Sequence, residues 1–252
     1  MKDVTLGILG GLGPMSGVLF CEMLTRHTKA LCDQDHLNFI LSSRADTPDR
    51  TAFILGTSDK NPADTMICEV KKLTDAGADI IAIPCNTAHY FYDSVSRASS
   101  VPVINIIRQT VELCRQSGIK KAGVLATAGT VLSGAYKSVF EEAGLEYVTC
   151  TEEEQKIINS VIYDGIKQGK TPDIDSFLSV ADALRGRGCE KLILGCTELS
   201  VLKRELPIGN GFVDSLEVLA VSAIRLCGKE PQGFDEELMN FKVRKEDIYV
   251  TQ

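Results

Sequence analysis

Short apolar runs rich in β-branched residues alternate along this chain with longer segments whose apolar positions recur at helical spacing. The runs at 4–9, 37–41, 79–83, 102–106, 122–126, 145–148, 191–194 and 212–213 read as strands. Between them, 64–76, 132–143, 152–167 and 176–187 read as helices, several closed by a glycine just past the last apolar position. Strands that are continuous hydrophobic runs are buried on both faces, and strands separated by helices pair in parallel. The expected fold class is α/β.

The same plan occurs twice. Gly7-Ile8-Leu9-Gly10-Gly11-Leu12-Gly13 aligns with Gly123-Val124-Leu125-Ala126-Thr127-Ala128-Gly129 at an offset of 116 residues. Gly77-Ala78-Asp79-Ile80-Ile81-Ala82-Ile83-Pro84-Cys85-Asn86 aligns with Gly188-Cys189-Glu190-Lys191-Leu192-Ile193-Leu194-Gly195-Cys196-Thr197 at an offset of 111. One match is cheap by chance, but two in the same order at nearly one offset predict an internal duplication. The expected architecture is two similar doubly wound parallel-sheet domains related by pseudo-twofold symmetry, with a site in the cleft between them. Residues 1–106 with a returning helix at 214–227 are assigned to the first domain and 107–213 to the second, leaving 228–252 as a C-terminal extension.

Both copies of the second block end a buried strand at a cysteine, and ligands of parallel α/β sheets bind outside the carboxyl ends of the strands. Facing halves therefore bring Cys85 and Cys196 to one cleft from opposite sides. Inverting a stereocentre by deprotonation needs one group to take a proton from one face and another to return one to the other face, and a pair of thiols can do both. A helix N-terminus after each cysteine is expected to favour the thiolate. Asn86, Thr87 and Thr197 beside the thiols, with Thr127 and Thr130 after the fifth strand, offer donors for a substrate carboxylate. Gly11, in the glycine run 10–13, lets backbone approach the ligand. His89, four residues past Cys85, fits a helix surface as well as a site and is left outside the catalytic set.

Composition narrows the class of partner. A formal net charge of -7 provides no basic field for nucleic acid or anionic lipid, and no apolar run approaches the ~20 residues of a membrane span. The first residues read as a strand entering a glycine turn and not as a leader, so a cytoplasmic location is expected. Nine cysteines without a Cys-x-x-Cys pair fit free thiols in a reducing compartment, and three scattered histidines give no metal-ligand spacing. No metal is assigned.

The stretches Pro84-Cys85-Asn86-Thr87-Ala88-His89 and Gly195-Cys196-Thr197-Glu198-Leu199 resemble the aspartate/glutamate racemase family, as do Gly7 to Pro14, Pro48-Asp49-Arg50-Thr51, Leu125-Ala126-Thr127-Ala128-Gly129-Thr130 and Thr151-Glu152-Glu153-Glu154-Gln155. The resemblance runs in order to about residue 227. It implies a cofactor-independent racemase, without pyridoxal phosphate or metal, acting as a homodimer on a small amino-acid substrate, with Cys85 and Cys196 as the proton-transfer pair. It places Asn86, Thr87, Thr127 and Thr197 near the substrate α-carboxylate, and Arg50 and Lys167 near the distal carboxylate of an acidic substrate. Lys167 by itself reads as a solvated surface lysine. Gly10-Gly11-Leu12-Gly13-Pro14 at the start, and Glu198 where glutamate racemases carry a histidine, favour the aspartate racemase branch over the glutamate one. Related families act on neutral amino acids, hydantoins or maleate.

Other classes have weaker signatures. Gly11-x-Gly13-x-x-Ser16 departs from a dinucleotide fingerprint at its third position, Pro14 intrudes, and the second strand ends in Ser42-Ser43-Arg44 without an acidic ribose ligand. Gly169-Lys170-Thr171 matches the end of a phosphate-binding loop, but position 164 is Asp and the segment closes a helix. A non-catalytic dicarboxylate-binding protein could use the same cleft, although two symmetric thiols are superfluous to binding.

Overall fold

The computed structural model describes residues 4–248. Eight strands form two four-stranded parallel sheets. The first contains β1 (Thr5–Gly10), β2 (Asn38–Ser43), β3 (Ile80–Ala82) and β4 (Val103–Ile104), in the order β2-β1-β3-β4. The second contains β5 (Lys121–Leu125), β6 (Glu146–Thr149), β7 (Lys191–Leu194) and β8 (Phe212–Asp214), in the order β6-β5-β7-β8. The two halves therefore share one topology, as the repeated sequence plan requires, and every strand read from the apolar runs is present.

The duplication extends to individual packing contacts. Gly7 in β1 pairs with Ile81 in β3, and Gly123 in β5 pairs with Leu192 in β7. A Cβ on Gly7 would lie 2.5 Å from Ile81 Cδ1, 2.9 Å from Ala78 Cβ and 3.4 Å from Leu73 Cβ. A Cβ on Gly123 would lie 2.8 Å from Leu192 Cδ2, 3.2 Å from Cys189 Sγ and 3.3 Å from Leu184 Cδ2. The three neighbours of Gly7 correspond one by one to those of Gly123 at the 111-residue offset of the second repeated block. Both glycines thus leave room for an aliphatic side chain of the adjacent strand. The ends of β4 and β8 also match: Asn105 caps the helix Ile106–Gln116 by accepting from the N–H groups of Ile107 and Arg108, and Asp214 caps Ser215–Leu226 by accepting from Leu216.

The inner faces of the two sheets share a single apolar cluster. Leu6 and Ile8 from β1 join Ala122 and Val124 from β5 through Phe20, Val111, Phe140 and Leu219, on helices packed between the sheets. Separate clusters cover the outer face of each sheet. Fully burying a side chain such as Phe20 or Phe140 contributes about 1.5–3 kcal/mol. The extension joins the same core, since Leu238 and Phe241 are buried in the shared cluster, and its backbone accepts from Gln109 and Gln116. Residues 249–252 of that extension lie outside the described part.

Two helices differ from their sequence reading. The segment 132–143 is broken at Gly134, whose φ of 68° separates Ala128–Leu132 from Ala135–Ala143. The segment 152–167 is α-helical only over Glu152–Ser160, continues as a π-turn over Val161–Gly165 and tightens to a 3₁₀ turn over Ile166–Gln168. A Cβ on Gly165 would lie 2.8 Å from Pro172, so the chain can fold back there only with glycine. Among the described residues no helix is long and apolar enough to cross a membrane.

Candidate active site

Each cysteine sits just past the carboxyl end of a central strand. Cys85 follows β3 through Ile83 and Pro84 and leads into a 3₁₀ turn, Thr87–Phe91. Cys196 follows β7 through Gly195 and is the N-cap of the helix Thr197–Glu205. Both are buried, and both line one closed cavity of about 10 Å³. That is room for about one water molecule, so the two thiols face each other across a tightly closed site.

Hydrogen bonds between the halves fix the two thiol-bearing segments against one another. Thr197 Oγ1 donates to the Pro84 carbonyl at 3.1 Å. Asn86 Nδ2 donates to Ser215 Oγ at 2.9 Å, and that hydroxyl donates to the Leu194 carbonyl at 2.7 Å. Tyr136 OH donates to Asn86 Oδ1 at 2.8 Å. The Asn86 amide and the Thr197 hydroxyl are therefore engaged within the protein, and they position the cavity wall. In so dry an environment, leaving one such partner unpaired costs about 1–3 kcal/mol.

A cluster of threonine hydroxyls contributed by both halves adjoins the same cavity. Thr87 Oγ1 lies 3.0 Å from Thr127 Oγ1 and 2.8 Å from Thr130 Oγ1, and Thr127 and Thr130 are 3.0 Å apart. Thr51 approaches Thr127 at 3.4 Å. Thr87, Thr127 and Thr51 reach the cavity, whereas Thr130 stands outside its lining and bonds the other two.

Two cations also face the cavity. Arg50 is buried at the start of the short helix Arg50–Ile54; its guanidinium donates to the carbonyls of Leu12, Thr47 and Pro48, while Nε has no partner among the described residues. Among those residues no carboxylate forms an ion pair with it, and an unpaired buried cation favours an anionic ligand. Lys167 is carried in by the 3₁₀ turn after the π segment, lies 4.4 Å over the Tyr163 ring and is 3.9 Å from Glu198 Oε1. Burial works against its charge, but Glu198, Tyr163 and the two thiols outweigh that and hold the ammonium above its ordinary value.

Cys196 is not the activated thiolate expected of a helix N-terminus. Burial first, then the Glu198 carboxylate, push its thiol well above the ordinary value, against the opposing pull of Lys167. The thiol donates to Glu198 Oε2 at 3.0 Å. Desolvation of a charge at this depth exceeds the partial charge of one helix end.

His89 is buried outside the cavity lining. Its Nε2 accepts from the Ile106 N–H at 3.2 Å, so Nδ1 carries the proton and donates to the Cys85 carbonyl at 2.9 Å. Burial pushes the imidazole down to about 4, so it is neutral and holds the Cys85 backbone against the helix Ile106–Gln116.

Gly11 lines a larger outer cavity of about 450 Å³. Its φ is +82°, and a Cβ would fall 2.4 Å from the Arg44 backbone, so the close approach it permits is to Arg44. Arg50, Lys167, Asp49 and Glu198 line both cavities and form the partition between them. Leu12, Thr51 and Tyr163 are cavity residues that sequence reasoning passed over. Tyr163 had one usable signal, its i, i+4 spacing from Lys167.

Twin parallel sheets of one topology, each presenting a thiol to a shared cavity, define the class: duplicated α/β proteins with a paired-thiol site. Residues 9–223 match the Asp/Glu/Hydantoin racemase family. The chain belongs to that family, and amino-acid racemisation is the reaction class that accompanies it. The structure of Picrophilus torridus aspartate racemase is similar at a TM-score of 0.79 and 29% identity, covering 91% of this chain and 96% of that one. The broad specificity amino-acid racemase RacX of Bacillus subtilis (strain 168) is 27% identical over 227 residues, 87% of this chain and 96% of the relative. Glutamate racemase of Aquifex pyrophilus is 35% identical over 166 residues, 60% of this chain and 59% of the relative.

Proposed function

We propose that this protein interconverts L- and D-aspartate by direct proton transfer between Cys85, Cys196 and the substrate α-carbon, without a cofactor. The observation that carries this is the convergence of two buried thiols, from equivalent strand ends, on one cavity that also holds two cations. In one direction the thiolate of one cysteine takes the α-proton: the Cα–H bond breaks, an S–H bond forms, and the electron pair spreads into the α-carboxylate. The other thiol then delivers its proton to the opposite face and is left as the thiolate. The reverse direction exchanges the two roles.

Charge supports an acidic substrate. The α-carboxylate fits the hydroxyls of Thr87 and Thr127 with nearby backbone N–H groups, where negative charge develops during proton removal. The distal carboxylate fits Arg50, whose buried cation has only carbonyl partners, and Lys167. The nine cysteines are all free in the structure, which suits action in a reducing cytoplasm. A homodimer and the division of the chain at 106/107 and 213/214 belong to the same proposal. A wider substrate range is the second reading, favoured by the relative named for broad specificity that matches over nearly its full length. Chiral chromatography of a panel of acidic and neutral amino acids, incubated without added cofactor, tests both: inversion of aspartate above the others is expected, and no inversion of any amino acid overturns the proposal.

A further inference from the structure

A buried polar network reaches from the second half of the molecule to the residue beside Cys85, and its donor directions follow outward from one backbone carbonyl. The Leu194 carbonyl, two residues before Cys196, only accepts, so the single proton of Ser215 Oγ is committed to it at 2.7 Å. That hydroxyl accepts from Asn86 in turn, which sets the amide nitrogen of Asn86 toward Ser215 at 2.9 Å. The amide oxygen is left for Tyr136, whose hydroxyl donates to it at 2.8 Å. Burial pushes the Tyr136 phenol up, so it stays a donor throughout the neutral range. The amide is thereby held in one orientation, and its second N–H has no protein partner among the described residues, while Asn86 lines the cavity that both thiols share. The duplicated fold requires neither hydroxyl. After the cap Asn105 the first half has Ile106, where the second half has Ser215 after Asp214. At the 116-residue offset Tyr136 corresponds to Phe20, an equally buried ring without a hydroxyl.

We propose that Tyr136 and Ser215 are positioning residues for the proton transfer: together they hold Asn86 so that it offers the substrate a hydrogen-bond donor and never its amide oxygen. This rests on the racemase function proposed above and deepens it. When the α-proton leaves, negative charge builds on the α-carboxylate; a fixed N–H there stabilises it, whereas an amide oxygen would repel it. The two ends of an asparagine amide have nearly the same shape, so an unrestrained side chain can turn either one inward. The network removes that freedom before substrate binds. Anchored on Leu194, it also ties the segment after Cys85 to the strand that leads to Cys196. Neither Tyr136 nor Ser215 lines the cavity, so both act through Asn86.

The test joins steady-state kinetics of Tyr136→Phe, Ser215→Ala, Asn86→Ala and the Tyr136→Phe/Asn86→Ala double variant to NMR of the Asn86 side-chain amide. Tyr136→Phe keeps the buried ring, and Ser215→Ala breaks the network from its other end, so either folded variant decides the matter. Each is expected to lower kcat about ten- to a hundredfold, with a smaller change in KM. In the Asn86→Ala background, Tyr136→Phe is expected to cost less than about twofold further, because the group it positions is gone. The amide hydrogen that Asn86 gives to Ser215, identified by its disappearance in Asn86→Ala, should exchange slowly with water in the wild type and rapidly in both hydroxyl variants. Wild-type kcat in either folded variant, additive losses in the double variant, or amide exchange unchanged by both substitutions would overturn the proposal. A wild-type protein that racemises no amino acid removes the underlying function instead, and exchange of the Asn86 amide still reports whether the two hydroxyls hold it.

Discussion

At the level of single residues, the proposed preference for an acidic substrate rests mostly on Arg50. Its guanidinium is buried among carbonyls with no carboxylate partner, so replacing it removes a charge-assisted contact that only an acidic substrate would use. Arg50→Ala is expected to raise KM for aspartate about ten- to a hundredfold, with less than about a threefold change for a neutral amino acid; steady-state kinetics on both checks it, and equal losses would assign Arg50 to folding. His89 gives a pH prediction of defined sign. Its imidazole is lowered from 6.5 to about 4 in the folded protein, so the unfolded chain binds a proton that the folded chain refuses between those values. Its contribution is complete above pH 6.5 and is lost as pH falls toward 4, by up to roughly 3 kcal/mol. His89→Gln is therefore expected to be less stable at pH 7 but to lose less further stability at pH 4.5, measured by urea unfolding at both. Cys85, Cys196, Thr87 and Thr127 were legible in the sequence because the repeat placed them at strand ends. Glu198 was visible only as a departure from a pattern. The ionisation of Cys196 was misjudged because burial depth, which outweighs the helix end, has no sequence signature.

At the scale of elements, the legible parts are those fixed by local pattern. All eight strands followed from continuous apolar runs, and helix ends such as 176–187 fell within two residues of the observed Ile174–Gly186. The segment 152–167 resisted because its apolar spacing fits an α-helix throughout, while its path is set by Gly165 meeting Pro172, a contact between residues on either side of a turn. That detour brings Tyr163 and Lys167 to the cavity, and π-turns inside helices often mark functional sites. The matched glycines in β1 and β5 allow a paired test. Gly7→Ala and Gly123→Ala each force a Cβ into a packed aliphatic neighbour, and each is expected to cost about 1–3 kcal/mol in denaturant unfolding. A neutral result at either position would mean that its neighbour yields freely and that the shared glycine is not a packing requirement.

Across the whole molecule, the duplication is the feature from which the site follows. Two sheets in one strand order place equivalent strand ends toward each other, and the shared inner core together with the Thr197–Pro84 and Asn86–Ser215 hydrogen bonds fixes their spacing. The repeat was readable from two aligned blocks. The sharing of one core was not, because it depends on which faces of the intervening helices meet, and neither was the anchoring of the extension through Leu238 and Phe241. The most direct measurement is hydrogen–deuterium exchange at the aspartate α-carbon in deuterated water, with each enantiomer supplied separately to Cys85→Ser and Cys196→Ser. Each variant should lose at least about a hundredfold in racemisation yet exchange the α-hydrogen of one enantiomer only, the two variants acting on opposite ones. Racemisation at the wild-type rate by either variant, or exchange of the same enantiomer by both, would contradict two thiols working on one carbon from opposite faces.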